Sequence, residues 1–573
     1  MSRPATLHAT AVVPGVGYAP AVWARPRPEL PRDGAPNVAS EAGASPTEVG
    51  PLDDGAIDGE IERFRSAADV VSARLADRAR AAEGDAAAVL SATSKLTVDR
   101  GWHRAAIKSM RAGESADVAV TTTIAAFAHK FRAAGGVTAE RVADLEDIRD
   151  RVIAELRGEP EPGLPAVSGP VVLLADDLAP ADAATLDPEV FVGLVTALGG
   201  PTSHTAIIAR QIGVPCLVAA GPGLRDVDAG DRVLIDGAAG TLTVEPEPSV
   251  ARAAVADAEE SARRIAAWSG PGRLADGLPV TLLANVGDAA SARQAADGPA
   301  EGVGLFRTEL SFLTESTEPA VDVQARAYAG VLSRFPSSKV VVRTLDAGSD
   351  KPLAFTNPDH EDNPALGVRG LRISRSHSGL LERQLDAIVM AGESLGRDHA
   401  DTWVMAPMVA TLEEADWFAG LCRERGLTPG AMIEIPAAAL QSHDLMTVLD
   451  FVSIGTNDLT QYAMAADRLS PHLAYLTDPW QPAVLRLIDM TCKSGRETGT
   501  PVGVCGEAAA DPWLACVLVG LGVESLSAAA TALPGVGARL AAVTEAQCRS
   551  AARAALDATD ADGARAAARA ILK

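Results

Sequence analysis

The sequence predicts a multidomain α/β protein: an α/β domain interrupted by an inserted helical bundle, then a linker helix, then a C-terminal (β/α)8 TIM barrel. Three observations predict it. Short apolar strands near residues 7–24 return only after residue 165, the intervening stretch runs at helical spacing, and from Leu278 onward apolar strands alternate with helices. With 573 residues, the chain has length for about three or four domains with large cores of their own.

Residues 7–24 read as two short strands around a Pro14-Gly15 turn, and residues 25–54, rich in Pro, Gly, Ser and Ala, as loop. Residues 1–25 are read as strands, not as a secretory leader, because Pro14, Gly15, Gly17 and Pro20 interrupt the apolar stretch. Ile57, Ile61, Phe64, Ala68, Val71 and Leu75 then recur at helical spacing, and further helices are predicted over 84–98, 103–112, 115–133 and 138–157. Strands resume at Val171–Leu174, Val233–Ile235 and Thr241–Thr243. The predicted domains are 1–25 with 160–246, an inserted helical subdomain 55–159, a linker 247–273 and a barrel 274–573.

A charged, alanine-rich helix over 247–268, closed by Gly270-Pro271-Gly272, spans about 33 Å at 1.5 Å per residue, enough to act as spacer and hinge. Eight barrel strands are predicted: Val280–Leu283, Val303–Phe306, Val340–Val342, Trp403–Ala406, Ala431–Ile433, Phe451–Ile454, Val502–Val504 and Ser525–Leu526.

A net charge of −24 argues against nucleic-acid or anionic-membrane binding, since phosphate contacts need basic surface. An anionic substrate would require a local arginine cluster. No apolar run approaches the roughly 20 residues that span a bilayer, so membrane insertion is not expected. The six cysteines show no CxxC pair and no metal-ligand spacing, which predicts free thiols in a cytoplasmic protein.

Gly199-Gly200-Pro201-Thr202-Ser203-His204-Thr205-Ala206-Ile207-Ile208-Ala209-Arg210 follows the apolar strand Leu194-Val195-Thr196. Thr202 or Ser203 can cap a helix there, which places His204 at a helix start. Free backbone N–H groups at such an end disfavour a protonated imidazole and favour a bound phosphate. A neutral, nucleophilic His204 that then carries a phosphoryl group fits this position. The bland alternative is a capping hydroxyl beside a surface histidine.

In the barrel, polar residues follow strand ends, where the chemistry of this fold collects. Arg307 follows Phe306, Arg343 follows Val342, Glu434 follows Ile433, Asn457 and Asp458 follow Thr456, and Cys505 follows Val504. Arginines can clamp phosphate and carboxylate, while Glu434 and Asp458 offer two oxygen ligands to Mg²⁺. Singly, Arg307 could pair with Glu309, Asp458 could cap a helix and Cys505 could be a buried small hydrophobe. Their coincidence on one rim favours a site.

The His204 dodecamer resembles the phosphohistidine segment of the phosphoenolpyruvate-utilising enzymes. The barrel stretches Gly302–Glu309, Val342–Asp346, Glu434–Ala438, Ser453–Tyr462, Asp467-Arg468 and Cys505-Gly506-Glu507 resemble the phosphoenolpyruvate-binding barrel of enzyme I of the sugar phosphotransferase system. That resemblance implies a phosphoenolpyruvate-protein phosphotransferase, with His204 as tele-phosphohistidine nucleophile and Cys505 as proton donor. It also implies that Arg307, Arg343, Asn457, Asp458 and Arg468 bind substrate and that Glu434 and Asp458 ligate Mg²⁺. Implied partners are phosphoenolpyruvate and pyruvate, the histidine-containing phosphocarrier protein HPr docked on the helical subdomain, and a second copy joined through the barrel as a homodimer.

Only about 165 residues precede the His204 domain, without a Gly-rich nucleotide loop, which favours enzyme I over dikinases and synthases that carry an ATP-grasp domain there. The rival readings are a dikinase-like enzyme with a separate nucleotide subunit and a catalytically weakened paralogue that senses phosphoenolpyruvate. The sequence departs from enzyme I at Ala197 and Pro201, where relatives carry Asp and Arg, and at Ala179–Ala183, where relatives read Thr-Pro-Ser-x-Thr. It also reads Ala92–Leu96 where relatives read Ala-His-x-Met-Leu.

Overall fold

The computed structural model describes residues 5–25, 28, 30, 54–81, 84–134, 141–165, 167–183, 185–200, 203–312, 315–348, 353, 355, 361–377, 379–398, 401–468, 470, 473 and 475–573. Most of the predicted 25–54 loop, the start of the helix predicted at 138, Pro201 and Thr202, and the side chain of His204 lie outside the described residues. The chain divides into two compact units, Met1–Ser261 and Ala262–Lys573.

The first unit holds an eight-stranded sheet in the order β1-β8-β7-β3-β4-β5-β6-β2. Its N-terminal strands are three, not two: β1 Ala5–His8, β2 Thr10–Val13 and β3 Val16–Trp23. β3 alternates buried and half-buried residues along its length, as a strand with one covered face should. It pairs parallel with β4 (Val171–Ala175), Ala21 opposite Val172, and antiparallel with β7 (Arg232–Asp236), Gly17 opposite Ile235. β5 (Phe191–Thr196), β6 (Cys216–Val218) and β8 (Thr241–Val244) complete the sheet.

Among the described residues five helices lie between β3 and β4: α1 Asp54–Ala81, α2 Gly84–Thr97, α3 Arg100–Arg111, α4 Ala116–Ala134 and α5 Val142–Arg157. Ile61, Phe64, Ala68, Val71 and Leu75 of α1 are buried, the stripe that their spacing requires, against Trp102, Met110, Ile124, Ile148 and Val152. α3 starts three residues before the predicted 103 because Asp99 caps it, accepting from the Gly101 N–H at 2.8 Å. After β4 come the short α6 (Pro180–Ala183) and α7 (His204–Ile212). α8 (Pro248–Ala267) is a helix where one is predicted over 247–268, and it buries only Ala251 along its length.

The second unit contains a closed barrel of eight parallel strands: β9 Thr281–Val286, β10 Val303–Arg307, β11 Val340–Arg343, β12 Thr402–Ala406, β13 Thr428–Ile433, β14 Phe451–Ile454, β15 Val502–Val504 and β16 Ser525–Ala528. Every predicted barrel strand is present. Leu305, Val341, Met405, Met432 and Phe451 fill the barrel interior, and Cys505 sits with them. Among the described residues no helix is long and apolar enough to cross a membrane. All six cysteines are unpaired and buried.

Candidate active site

α7 begins at His204 because Ser203 takes extended backbone (φ −64°, ψ 157°) and its Oγ accepts from the Ala206 N–H at 3.3 Å. Ser203, not Thr202, is therefore the cap. Thr205, the next residue, is buried and donates through Oγ1 to the Leu178 carbonyl at 3.2 Å, tying the helix start to the segment before α6. Ala183 and Ala197, two of the departures from enzyme I, are both buried.

In the second unit a cavity of about 560 Å³ opens at the C-terminal ends of the barrel strands. All seven sequence-predicted barrel residues line it: Arg307, Arg343, Glu434, Asn457, Asp458, Arg468 and Cys505. Arg307 ends β10 and is exposed, while Arg343 ends β11 and is buried. Arg343 pairs with Glu309, and with Asp346 at 3.2 Å. Glu309 thus belongs to Arg343, not to Arg307. Burial opposes the Arg343 charge, but Glu309, Asp346 and Glu434 outweigh it and hold the guanidinium firmly protonated.

The helix Thr456–Met464 supplies two of these residues, since it opens immediately after β14 and its first turn lines the cavity. The longer helices described before it include α9 Ala289–Ala296, α10 Val321–Leu332, α11 Leu380–Ser394, α12 Leu412–Arg423 and α13 Pro436–Leu440, and the helix Thr456–Met464 is α14. Asn457 accepts from the Glu507 N–H at 2.9 Å, and Asn285 donates to the Cys505 carbonyl at 3.1 Å. The rim is in this way cross-braced between β9, β14 and β15. Gly455 has no side chain because a Cβ there would meet Glu434 Oε2 at 2.8 Å.

Glu434 is fully buried. One oxygen accepts from the Met408 N–H at 2.7 Å, for which Met408 adopts a left-handed φ of 60°. Burial, then the nearby Asp458 and Asp346, push its carboxyl up to about 8. Among the described residues Glu434 Oε2, Glu309 Oε2 and Arg343 Nε are buried without a hydrogen-bond partner. Three such atoms around one cavity are costly unless a polar ligand satisfies them.

Sequence reading missed Arg369. It is fully buried and reaches Asp346 at 3.0 and 3.1 Å and Asp458 at 2.9 and 3.2 Å, one guanidinium spanning two carboxylates. Burial works against its charge, but the two aspartates prevail and hold it protonated. No strand end announces it; it lies in the segment between β11 and β12, just before a short 3-10 helix, and only burial marks it out. Replacing Arg369 with methionine should lower stability by about 3–5 kcal/mol, because buried Asp458 loses the guanidinium that pairs with it and buried Asp346 loses it too, while keeping Arg343. Urea unfolding of the metal-free variant measures this, and a loss below about 1 kcal/mol would show that solvent reaches the pair.

Cys505 is 2% exposed, and its Sγ lies 3.7 Å from the Ile454 carbonyl. Burial pushes its thiol up to about 11, so it stays protonated at neutral pH. The unpartnered Glu434 oxygen beside Asp458 fits a hard divalent cation. Among the described residues no group of three or more His, Cys, Asp or Glu side chains could hold a metal ion, so substrate and water would complete its ligands.

Three family models match the chain: PEP-utilising enzyme, N-terminal, over residues 8–141; PEP-utilising enzyme, mobile domain, over 167–240; and PEP-utilising enzyme, PEP-binding domain, over 266–545. The chain is 48% identical over 516 residues to a phosphoenolpyruvate-protein phosphotransferase of Streptomyces coelicolor, covering 90% of this chain and 92% of that protein. It is 38% identical over 558 residues to a protein of the same name from Haloferax volcanii, covering 95% of each. A multiphosphoryl transfer protein of Rhodobacter capsulatus is 42% identical over 439 residues, 74% of this chain and 52% of that protein.

Proposed function

Because the chain belongs to the phosphoenolpyruvate-protein phosphotransferase family, enzyme I of the phosphotransferase system, we propose that it moves the phosphoryl group of phosphoenolpyruvate to His204 and then to HPr. The observation that carries this reading is the cavity at the barrel mouth, where Arg307, Arg343 and Arg468 share the lining with Glu434, Asp458 and Cys505 around buried polar atoms without partners.

Arg307, Arg343 and Arg468 bind the phosphate and carboxylate of the substrate, and Asn457 orients it by hydrogen bonding. The His204 Nε2 lone pair attacks phosphorus as the bond from phosphorus to the enol oxygen breaks, leaving enolpyruvate as its enolate. The arginines offset charge on the transferring group. Glu434 and Asp458 would hold Mg²⁺, whose charge lowers the repulsion between phosphoryl oxygens and the incoming nucleophile. Cys505 gives its proton to carbon 3 of the enolate, pyruvate leaves, and solvent restores the thiol. Phosphoryl-His204 then passes its group to HPr seated on the helical subdomain.

The protein acts in the cytoplasm, which the six unpaired buried thiols favour, and as a homodimer through its barrel. The test is incubation with radiolabelled phosphoenolpyruvate and Mg²⁺, with and without HPr. Acid-labile, base-stable label on His204 that chases to HPr supports the reading. Absence of label, or labelling only from ATP, would refute it.

A further inference from the structure

Away from the barrel, the first unit buries a second charged cluster that the proposed chemistry does not use. Arg151 of α5 is fully buried. Its Nε donates to Asp147 at 2.8 Å, its Nη2 to Asp182 at 2.6 Å, and its Nη1 to Glu161. Arg78 of α1 grips Glu161 with both nitrogens, at 3.1 and 2.9 Å. One guanidinium thus takes a carboxylate from its own helix, one from the segment after α5, and one from α6.

α6 lies between two cores. Ala181 packs into the core of the helical bundle, while Leu178 and Ala183 pack into the core beneath the sheet. The same segment accepts the Thr205 hydroxyl at 3.2 Å, one residue after His204. Asp182 fills space that only a glycine opposite it leaves open: Gly163 has φ +112°, and a Cβ there would run into the Asp182 carboxylate. The contact is built closely from both sides.

Energetically, such a cluster is a poor way to hold a core together. Two guanidiniums face three buried or half-buried carboxylates, and desolvation consumes much of the attraction; an apolar set of the same volume often does as well or better. A planar fork with three fixed donors supplies direction instead, because its partners must sit in its plane at set angles.

We propose that Arg151 is a positioning residue for handing the phosphoryl group on: through Asp182 and α6 it fixes the helix that begins at His204 against the helical bundle. A phosphocarrier seated on the bundle then meets the imidazole in line. The proposal rests on the reading above, in which His204 carries the group and the bundle receives the partner. It separates two half-reactions, since loading from phosphoenolpyruvate uses the barrel cavity and does not depend on the bundle, whereas unloading does.

The test uses the full chain with Arg151→Met and, separately, Asp182→Asn, which keeps the volume and decides the matter if Arg151→Met fails to fold. Single-turnover labelling of His204 from radiolabelled phosphoenolpyruvate with Mg²⁺ is compared with transfer from the labelled protein to HPr across a range of HPr concentrations. Expected is loading within about twofold of the parent, with kcat for transfer at least about tenfold lower and KM for HPr nearly unchanged. Transfer at the parental rate in Asp182→Asn overturns the proposal. So does a loading rate that falls in step with transfer, because the cluster then merely holds the domain together. A parent chain that takes no label from phosphoenolpyruvate points instead to an error in the function, and this proposal falls with it.

Discussion

Replacing His204 with alanine is expected to reduce stable labelling from phosphoenolpyruvate by more than about a thousandfold, while calorimetry finds substrate affinity within about tenfold, or about 1.4 kcal/mol, of the parent. The two readouts separate because the proposed nucleophile and the proposed substrate cavity belong to different units. His204 opens α7 within Met1–Ser261, whereas every residue around the cavity lies in Ala262–Lys573. Alanine removes the proposed phosphoryl acceptor and takes no arginine from the cavity. Loss of affinity beyond tenfold would make the imidazole part of the binding pocket, and residual stable label would mean another nucleophile.

The second large effect is expected at Cys505. Cys505→Ala should lower pyruvate formation by about 10²–10⁴, the usual worth of a placed general acid, while phosphoryl exchange between His204 and HPr survives, since it protonates no carbon. Because burial pushes the thiol up to about 11, the donor form persists well past pH 8.5, where an exposed cysteine would ionise. Its contribution should stay flat through that range and decline only as pH approaches about 11. Deuterium incorporation at carbon 3 of pyruvate in D₂O, followed by NMR, reads the step. A variant that deuterates pyruvate at the parental rate would make Cys505 a packing residue of the barrel interior.

Much of this architecture is written locally and can be read from the sequence. The eight barrel strands are short β-rich runs bounded by turns, and the polar residues at the ends of β10, β11, β13, β14 and β15 name their own positions on the rim. The stripe from Ile57 to Leu75 declares its buried face by spacing alone. What stays hidden is set by partners remote in sequence. Nothing in the chain shows that Glu309 faces Arg343 rather than Arg307, or that Arg369 joins Asp346 to Asp458, which lies 89 residues away. Cys505 looks like a rim residue from its place after β15, yet it is almost fully covered, because Leu305, Met405 and Met432 rise beside it from other strands. Arg151 gives no signal either, since a helix pattern cannot tell a solvated arginine from a buried one.

The order of the sheet bears on how the chain matures. β3 pairs with β4 across the whole helical bundle, Ala21 opposite Val172, and β1 closes on β8 with Ala5 opposite Val244. Strands made before the bundle therefore find their neighbours only after it. α1 to α5 make mostly local contacts and can collapse as they emerge, whereas β3 waits for β4, β2 for β6 and β1 for β8, all of which are synthesised after the bundle. A bundle that folds first draws its two ends together and shortens the effective loop that β3 must close, lowering the entropic cost of the pairing. Early folding of the helices thus guards the exposed strand edges of a nascent chain against pairing with the wrong neighbour.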